Sequence, residues 1–472
     1  MNDQKFVILD ICQIDNKFSY LSNIEDARSQ AELDIQILNE TIASVDALKP
    51  QCDKLDYTLS VCSGALCGII DIFLVGKPGE SPLGNVTDDW FGQMTTKFAK
   101  KCGWKPRGEE KLKNAIAWLE ENFQVPYDQR GCGDPATFID VHTDDHHFKS
   151  LSHNPSLLGL FFSILDQFRS SSHFVSEHQL FIITNETNKF ELRGNSFVGK
   201  IWCGFVNWFC HIMSDVSGSS GSKGRGMGIP SPLWTWTNDI IAIKSLLGIP
   251  ANQFDKDVND LALEIYKKGF DIRFQTTQTI PVFINELVVR LFYSVRRTIQ
   301  YYSNTPKEQR SFATLWSACK PYGNPSLSRM LTVAHGTFCL VDITDATIRG
   351  FVTGGGTFNP LEFFLRLNVA GVGRFTISLY GEAKRAINIH RAEKDAEFAQ
   401  KQKTLVEDYI EGLNVLKVKY DDQEYLAFIE DLRNNNYITA FSKTASLATL
   451  RGVPQEKVLE SKKDIDNYFT RH

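Results

Sequence analysis

Histidine and aspartate residues recur beside apolar segments of this 472-residue chain. His211 precedes Asp215 by four residues, so both side chains project from one face of a helix, close enough to ligate one metal ion. The polar run HTDDHHFKSLSH supplies His146, His147 and His153. Neutral imidazole and carboxylate are the ligands of hydrolytic zinc, and carboxylate-rich sets also suit manganese. The residue types therefore predict a divalent metal site, with zinc preferred and manganese second.

Three more polar residues lie inside apolar segments. Asp71 lies in GIIDIF, and His335 and Asp342, seven residues apart, would share one face of a helix. Unpaired Asp and His side chains are costly in apolar surroundings, which favours a functional role. Each group also has a structural interpretation: a hydrogen-bonded core histidine for His335, a solvated loop for HTDDHH, and a buried His–carboxylate bond for His211 with Asp215.

A glycine-rich segment, GSSGSKGRG, follows Asp215 and contains Lys223 and Arg225. It does not match the phosphate-loop spacing GxxxxGK[ST], and a predicted helix precedes it where that motif needs a strand. Its backbone amides and two cationic side chains still form a pattern that binds phosphate. Lys223 and Arg225 are therefore predicted to hold a substrate phosphate.

The elements that position these residues are predicted to be helices. Apolar side chains recur at helical spacing through most of the chain, which predicts a mainly α, multi-helix bundle with apolar, membrane-associated helices. The candidate residues fall on or next to predicted helices at 55–75, 157–168, 197–217 and 327–349. Alternating polarity predicts a small β-hairpin near 180–192.

Composition limits the classes of function. A net charge of −5 gives no specific signal for nucleic-acid binding. The N-terminus lacks a basic segment followed by an apolar one, which predicts no signal peptide, and the cysteines form no CxxC pair. Residues 57–76 are long enough to span a bilayer but include Asp71. We expect a cytoplasmic or inner-membrane-associated protein with a membrane surface as one partner.

Changes in composition divide the chain into three parts. An N-terminal helical segment covers 1–50, an apolar helical core with the metal site covers 51–390, and a charged helical tail covers 391–472. The tail is predicted to bind a protein partner.

The order of three blocks resembles a known family. GIIDIF with PGESPLGN, HHFKSLSHN, and HIMSD with GIPSPLW are similar to blocks of the YdjM-like membrane-bound metal-dependent hydrolases, which resemble zinc-dependent phospholipase C and single-strand zinc nucleases. The likeness covers residues 60–236. It departs from the family pattern at Phe73, where the family has a second acid, and at Phe148–Lys149, where it has Arg-Gly. The chain also resembles uncharacterised gut-bacterial proteins.

The resemblance implies a bacterial hydrolase that cleaves phosphoesters with metal-bound hydroxide. Asp71, His153, His211 and Asp215 would be metal ligands. His147 would be a ligand or would support one, and His146 is the alternative to it. His335 and Asp342 would complete the site, and the substrate would be a phosphate-containing small molecule or lipid. A non-catalytic membrane-associated or scaffolding protein is the alternative.

Overall fold

A computed structural model describes most of the chain. The described residues are 20–106, 108–128, 141–142, 144–184, 190–218, 227–420, 430, 434 and 437–470. Within them the protein is mainly α-helical, as the sequence predicts.

The helices, numbered in chain order over the described residues, are α1 (Tyr20–Leu48), α2 (Lys54–Ile70), α3 (Pro82–Cys102), α4 (Leu112–Asn122), α5 (His146–Lys149), α6 (Leu157–Arg169), α7 (Phe197–Asp215), α8 (Pro232–Leu246), α9 (Gln253–Lys267), α10 (Ile272–Asn304), α11 (Phe312–Cys319), α12 (Pro325–Thr353), α13 (Pro360–Arg366), α14 (Val369–Tyr420), α15 (Tyr437–Leu450) and α16 (Lys462–Thr470). A π-helical turn, Asp71–Val75, extends α2, and a 3₁₀ turn, Leu151–His153, follows α5. One helix of the described part, Lys54–Val75, is by length and composition able to cross a membrane.

The predicted small hairpin is present: its second strand overlaps the predicted range 180–192 and its first strand precedes it. Strand β1 (Ser171–Ser176) pairs antiparallel with β2 (Gln179–Thr184). Glu177 and His178, both with positive φ, form the two-residue turn that such hairpins favour. Every residue of β1 is buried, so the strand does not show the alternating polarity by which the sequence could reveal it.

The chain divides into two compact units, one of which joins its two ends. The larger unit is Pro50–Glu382, and the other combines Met1–Lys49 with Ala383–His472. In the second unit Ala31 and Leu38 of α1 pack against Ala399 and Val406 of α14. The N-terminal segment and the charged tail, which the sequence analysis separates, therefore belong to one unit.

Candidate metal centre

Helix α7 carries two candidate ligands at its C-terminal end. Ser196 caps the start of this helix by accepting a hydrogen bond from the Gly199 N–H. One turn apart, His211 and Asp215 face each other, and His211 Nε2 lies 3.2 Å from Asp215 Oδ2. Both residues are 2% exposed. The i, i+4 pair predicted from the sequence therefore exists and is buried.

Two further histidines reach the same carboxylate from α5 and the 3₁₀ turn after it. His153 Nε2 lies 3.4 Å from Asp215 Oδ2 and 3.2 Å from His211 Nε2. His147 Nε2 lies 3.8 Å from the same oxygen. His147, His153, His211 and Asp215 are called the His–Asp cluster below. Within it, the ligand atoms of His147, His153 and Asp215 all lie within 4.8 Å of one another.

The spacing of these atoms suits a metal better than hydrogen bonds. N–H···O bonds in proteins span about 2.7–3.2 Å, and the contacts of His153 and His147 with Asp215 are longer. Ligands held tetrahedrally at about 2.0–2.1 Å from zinc are about 3.3 Å apart. The separations of 3.2, 3.2 and 3.4 Å among His153, His211 and Asp215 match that edge, and His147 lies slightly farther out.

Several polar atoms of this region are buried without a hydrogen-bond partner in the described part of the chain. They are Asp215 Oδ2, the Nδ1 atoms of His153 and His211, and both ring nitrogens of His146. Unpaired buried polar groups are costly and uncommon in folded proteins. The Asp215 oxygen, which faces three imidazoles without a hydrogen bond, is the atom whose surroundings most favour a bound cation.

One ring orientation is already suited to metal binding. His147 Nδ1 lies 3.4 Å from the Gly228 carbonyl oxygen, which also accepts a hydrogen bond from the Tyr266 hydroxyl at 2.7 Å. Metal-bound histidines usually donate their second ring N–H to such an oxygen, which leaves the other nitrogen free as a ligand. The Nε2 atom of His147 that faces Asp215 is therefore the one available to a metal.

Burial and neighbouring charge set the protonation states in the cluster. Burial lowers the pKa of His153 to about 3, with the Asp215 carboxylate opposing this and the other imidazoles reinforcing it. Burial works to raise the pKa of Asp215, but His211, His147 and His153 outweigh it and hold that pKa well below its usual range. A neutral imidazole and an ionised carboxylate are the forms that bind metals.

Tyr127 contacts the cluster from the stretch between α4 and α5, which the sequence analysis did not single out. Its ring meets those of His153 and His211 edge to face, with centroids 5.2 and 5.5 Å apart. It is fully buried, and its hydroxyl shares a 2.8 Å hydrogen bond with Ser163. Burial raises the pKa of Tyr127 well above its usual value, so the uncharged ring packs against the two imidazoles and orients them.

Asp166 of α6, which sequence reasoning also missed, fixes the backbone next to His153. Its carboxylate accepts hydrogen bonds from the hydroxyls of Ser152 and Ser171 at 2.8 and 3.0 Å and contacts His173 Nδ1 at 2.5 Å. The only sequence signal was an acid inside the apolar run LLGLFFSILDQF, which is expensive unless the acid is bonded.

Apolar anchors hold the short segment that presents His147 and His153. Phe148 packs in a core cluster with Trp234 and Tyr266, and Leu151 packs in another with Phe162. Phe148 and Leu151 lie between His147 and His153 in the chain, so packing of these anchors fixes where both imidazoles lie relative to α7.

His146 lies beside the cluster without meeting Asp215. Its ring centroid is 4.9 Å from that of His153 and 5.6 Å from that of His147. Burial, reinforced by the neighbouring His153 and His147, lowers its pKa well below the usual value. His147, rather than His146, therefore presents the ring nitrogen to Asp215.

The other predicted ligands form different contacts. Asp71 accepts a 2.5 Å bond from the side-chain amide of Asn368, and Asp342 Oδ2 accepts a 2.9 Å bond from the backbone N–H of the same residue. His335 contacts Asn285 at 3.5 Å and lies 4.0 Å from Glu286. These residues are not members of the His–Asp cluster, and we do not include them in the ligand set.

The phosphate-binding residues predicted from the glycine-rich segment, Lys223 and Arg225, lie outside the described residues.

Comparisons of the chain with protein-family models, curated proteins and solved structures found no match. The geometry of the His–Asp cluster is therefore the basis for assigning a function.

Proposed function

We propose that this protein binds one divalent metal ion, zinc in preference to manganese, and uses it to hydrolyse phosphoesters. His147, His153, His211 and Asp215 would hold the ion. The observation that carries the proposal is the convergence of three imidazole Nε2 atoms on Asp215 Oδ2, at 3.2–3.8 Å, in a buried site. Three imidazoles and a carboxylate are donors that zinc accepts, and mixed nitrogen–oxygen sets also suit manganese.

The chemistry divides between the metal and the chain. A bound zinc or manganese ion lowers the pKa of a bound water toward about 7 and polarises a phosphoryl oxygen. The protein would hold the ion through the imidazoles of His147, His153 and His211 and the Asp215 carboxylate, with the Tyr127 ring packed against His153 and His211. Lys223 and Arg225 would bind the phosphate of the substrate.

Burial differs among the ligands and indicates the side from which a substrate would approach. The side chains of His153, His211 and Asp215 are 1–3% exposed, whereas that of His147 is 13% exposed. Its Nε2 is also the farthest of the three from Asp215. Because four protein ligands would complete a tetrahedral zinc site, water or substrate would bind as a fifth ligand, on the His147 side. We propose that a phosphate-containing small molecule or lipid enters there.

The test is the metal content of the purified full-length chain, measured by plasma mass spectrometry after incubation with zinc or manganese. We expect about one ion per chain in the wild type and a loss of at least about tenfold in the double variant His211→Ala, Asp215→Ala. The matched control is His178→Ala, Asp260→Ala, which removes a His–Asp pair with a 2.8 Å contact at the surface. That control should keep its metal.

Activity is a second, separate readout. Metal-loaded wild type should hydrolyse bis(p-nitrophenyl) phosphate, and the double variant should not. A well-folded wild type that takes up neither ion would refute the metal site. Metal uptake without hydrolysis of phosphodiesters or phosphomonoesters would refute the hydrolase and leave a structural metal site.

A further inference from the structure

Helix α2, with its π-helical extension, exposes apolar residues and buries polar ones, which is the reverse of a helix that faces water. Its buried side is largely polar or small, and its exposed side from 61 to 74 is apolar throughout. The exposed residues of that stretch are Val61, Cys62, Leu66, Ile69, Phe73 and Leu74. Helices on the surface of water-soluble proteins bury the apolar side and expose the polar one. This helix is therefore built for an apolar environment outside and polar contacts inside.

Helix α10, which runs antiparallel to α2, also has an apolar exposed side, over a longer stretch. Every exposed residue from 280 to 302 is apolar or aromatic: Phe283, Leu287, Leu291, Phe292, Val295, Ile299 and Tyr302. At a rise of 1.5 Å per residue, the distance from Phe283 to Tyr302 is about 29 Å. The hydrocarbon core of a bilayer is about 30 Å thick.

The charged residues of α10 in this stretch are at most partly exposed and are paired with other residues. Glu286 binds Arg290 and Arg374, and the contact between Arg374 Nε and Glu286 Oε2 is 3.0 Å. Arg296 binds Asp53 and Asp56 near the start of α2. Ionisable groups within lipid face the bundle interior and pair with one another in this way.

Small residues bring α2 and α12 into close contact. Gly64 and Gly68 form a GxxxG pair on the buried side of α2. A Cβ atom at Gly64 would lie 2.2 Å from the Ala334 carbonyl oxygen, and one at Gly68 would lie 2.8 Å from the Val341 side chain. Close backbone approach through small residues is characteristic of helix packing in membranes, where apolar surface has no reason to leave lipid.

The second half of α12 continues the apolar exterior. Its exposed residues from 340 to 352 are Leu340, Ile343, Thr344, Ile348, Phe351 and Val352. We call the exposed residues of α2 (61–74), α10 (283–302) and α12 (340–352) the apolar band.

The distribution of charge over this surface complements a bilayer. Of the charged side chains within the three stretches of the apolar band, only that of Arg349 is more than a third exposed, and it is paired with Asp345 at 3.0 Å. At one end, where α2 begins and α10 ends, the exposed Tyr57 and Tyr302 occur near Lys54, Asp53 and Arg296. Tyrosine and charged side chains are enriched where a spanning helix meets the headgroups. A protein partner of similar extent would require neither this length nor this placement of charge.

We propose that the apolar band lies in the hydrocarbon of a lipid bilayer. The proposal does not depend on the metal site, because none of its residues belongs to the His–Asp cluster. The occupant is lipid rather than a second copy of the chain, since the length of the apolar band on α10 matches the hydrocarbon thickness. The charged residues of α10 are also paired with other side chains of the protein.

The experiment is flotation of the full-length chain with neutral phosphatidylcholine vesicles in a sucrose gradient at high salt. Neutral lipid and high salt remove electrostatic attraction, so flotation reports apolar insertion. The variant Leu287→Lys, Leu291→Lys places two charges in the band. The matched control is Leu405→Lys, Leu450→Lys, which changes leucines that are 68% and 69% exposed in the other unit.

Wild type and control should float, and the band variant should float at least about tenfold less. Circular dichroism in detergent checks that all three proteins keep the same helix content. The variant Leu287→Phe, Leu291→Phe, which keeps both positions apolar, should float like the wild type. Failure of the wild type to float would overturn the proposal. Equal flotation of the band variant would also overturn it, as would a lipid-free dimer of wild type that only the band variant disrupts.

Discussion

Two buried places of the larger unit that the sequence singles out differ in how their acids are bonded. In the carboxyl pair, Asp71 and Asp342, Asn368 donates to both acids, to Asp71 through its side-chain amide and to Asp342 Oδ2 through its backbone N–H at 2.9 Å. In the His–Asp cluster the polar atoms converge but leave buried atoms unpaired within the described part of the chain. The difference separates acids that are bonded within the protein from a site that we propose binds a cation.

The same comparison shows what a buried polar residue in an apolar segment means. The sequence treats Asp71, His211 and Asp215 alike, because each is a polar residue in apolar surroundings. The structure gives Asp71 a side-chain amide 297 residues away in the chain and gives Asp215 three imidazoles. Polarity in an apolar segment predicts that a partner exists, without saying whether the partner is protein or ligand.

The largest expected effect is on zinc affinity, and it is seen by comparing substitution of Asp215 with substitution of Asp71. Asp215→Asn should lower the affinity for zinc at least about 100-fold, because it removes the charged member of the cluster. Asp71→Asn should leave zinc affinity within about twofold, because Asp71 is bonded elsewhere. Competition with a chromophoric chelator measures both. Loss of zinc affinity in Asp71→Asn would show that the two places are one site.

Removal of the metal should come next in size. A ligand that binds only the folded state stabilises it by about 2.7 kcal/mol at 100 times its dissociation constant. Chelation with EDTA should therefore lower the free energy of unfolding of the zinc-loaded wild type by about that amount, as measured by urea titration. The Asp215→Asn variant is the control and should not respond. An equal response of wild type and variant would place the metal elsewhere.

Loss of the amide in the carboxyl pair should destabilise the fold without affecting the metal. Asn368→Ala removes the bonds of its side chain to Asp71 and to the Gln278 carbonyl oxygen. Leaving buried acceptors unpaired should cost about 2 kcal/mol in the free energy of unfolding. Asn122→Ala, which loses one exposed bond to the Trp118 carbonyl, is the matched control and should cost less than about 0.5 kcal/mol. Zinc content should not change in either variant.

The smallest effect is expected at His146. Its ring nitrogens have no hydrogen-bond partner in the described part of the chain, so His146→Leu removes buried polar atoms without breaking a bond. The change in the free energy of unfolding should stay below about 1 kcal/mol, and zinc content should be retained. Thermal unfolding and mass spectrometry measure the two. Loss of zinc in this variant would add His146 to the ligand set and replace the assignment of His147.

Much of the secondary structure follows from local pattern. Apolar residues at helical spacing predict α1, α7 and the long helices of the second half of the larger unit, because burial of one helical face depends only on neighbours in sequence. The boundary predicted near 390 falls inside α14, since a change from apolar to charged composition does not interrupt a helix that contains no proline. The hairpin is displaced because β1 is buried on both faces.

Within the candidate site, the i, i+4 relation of His211 and Asp215 follows from local sequence, because helical geometry fixes it. That His147 and His153 join this pair, and that Asp71 does not, follows from contacts between distant parts of the chain. Those outcomes depend on Phe148 and Leu151 packing against residues distant in the chain, and on Asn368 reaching Asp71 across 297 positions. Local spacing fixes which side chains can share a face, and packing between elements selects the partners that each one meets.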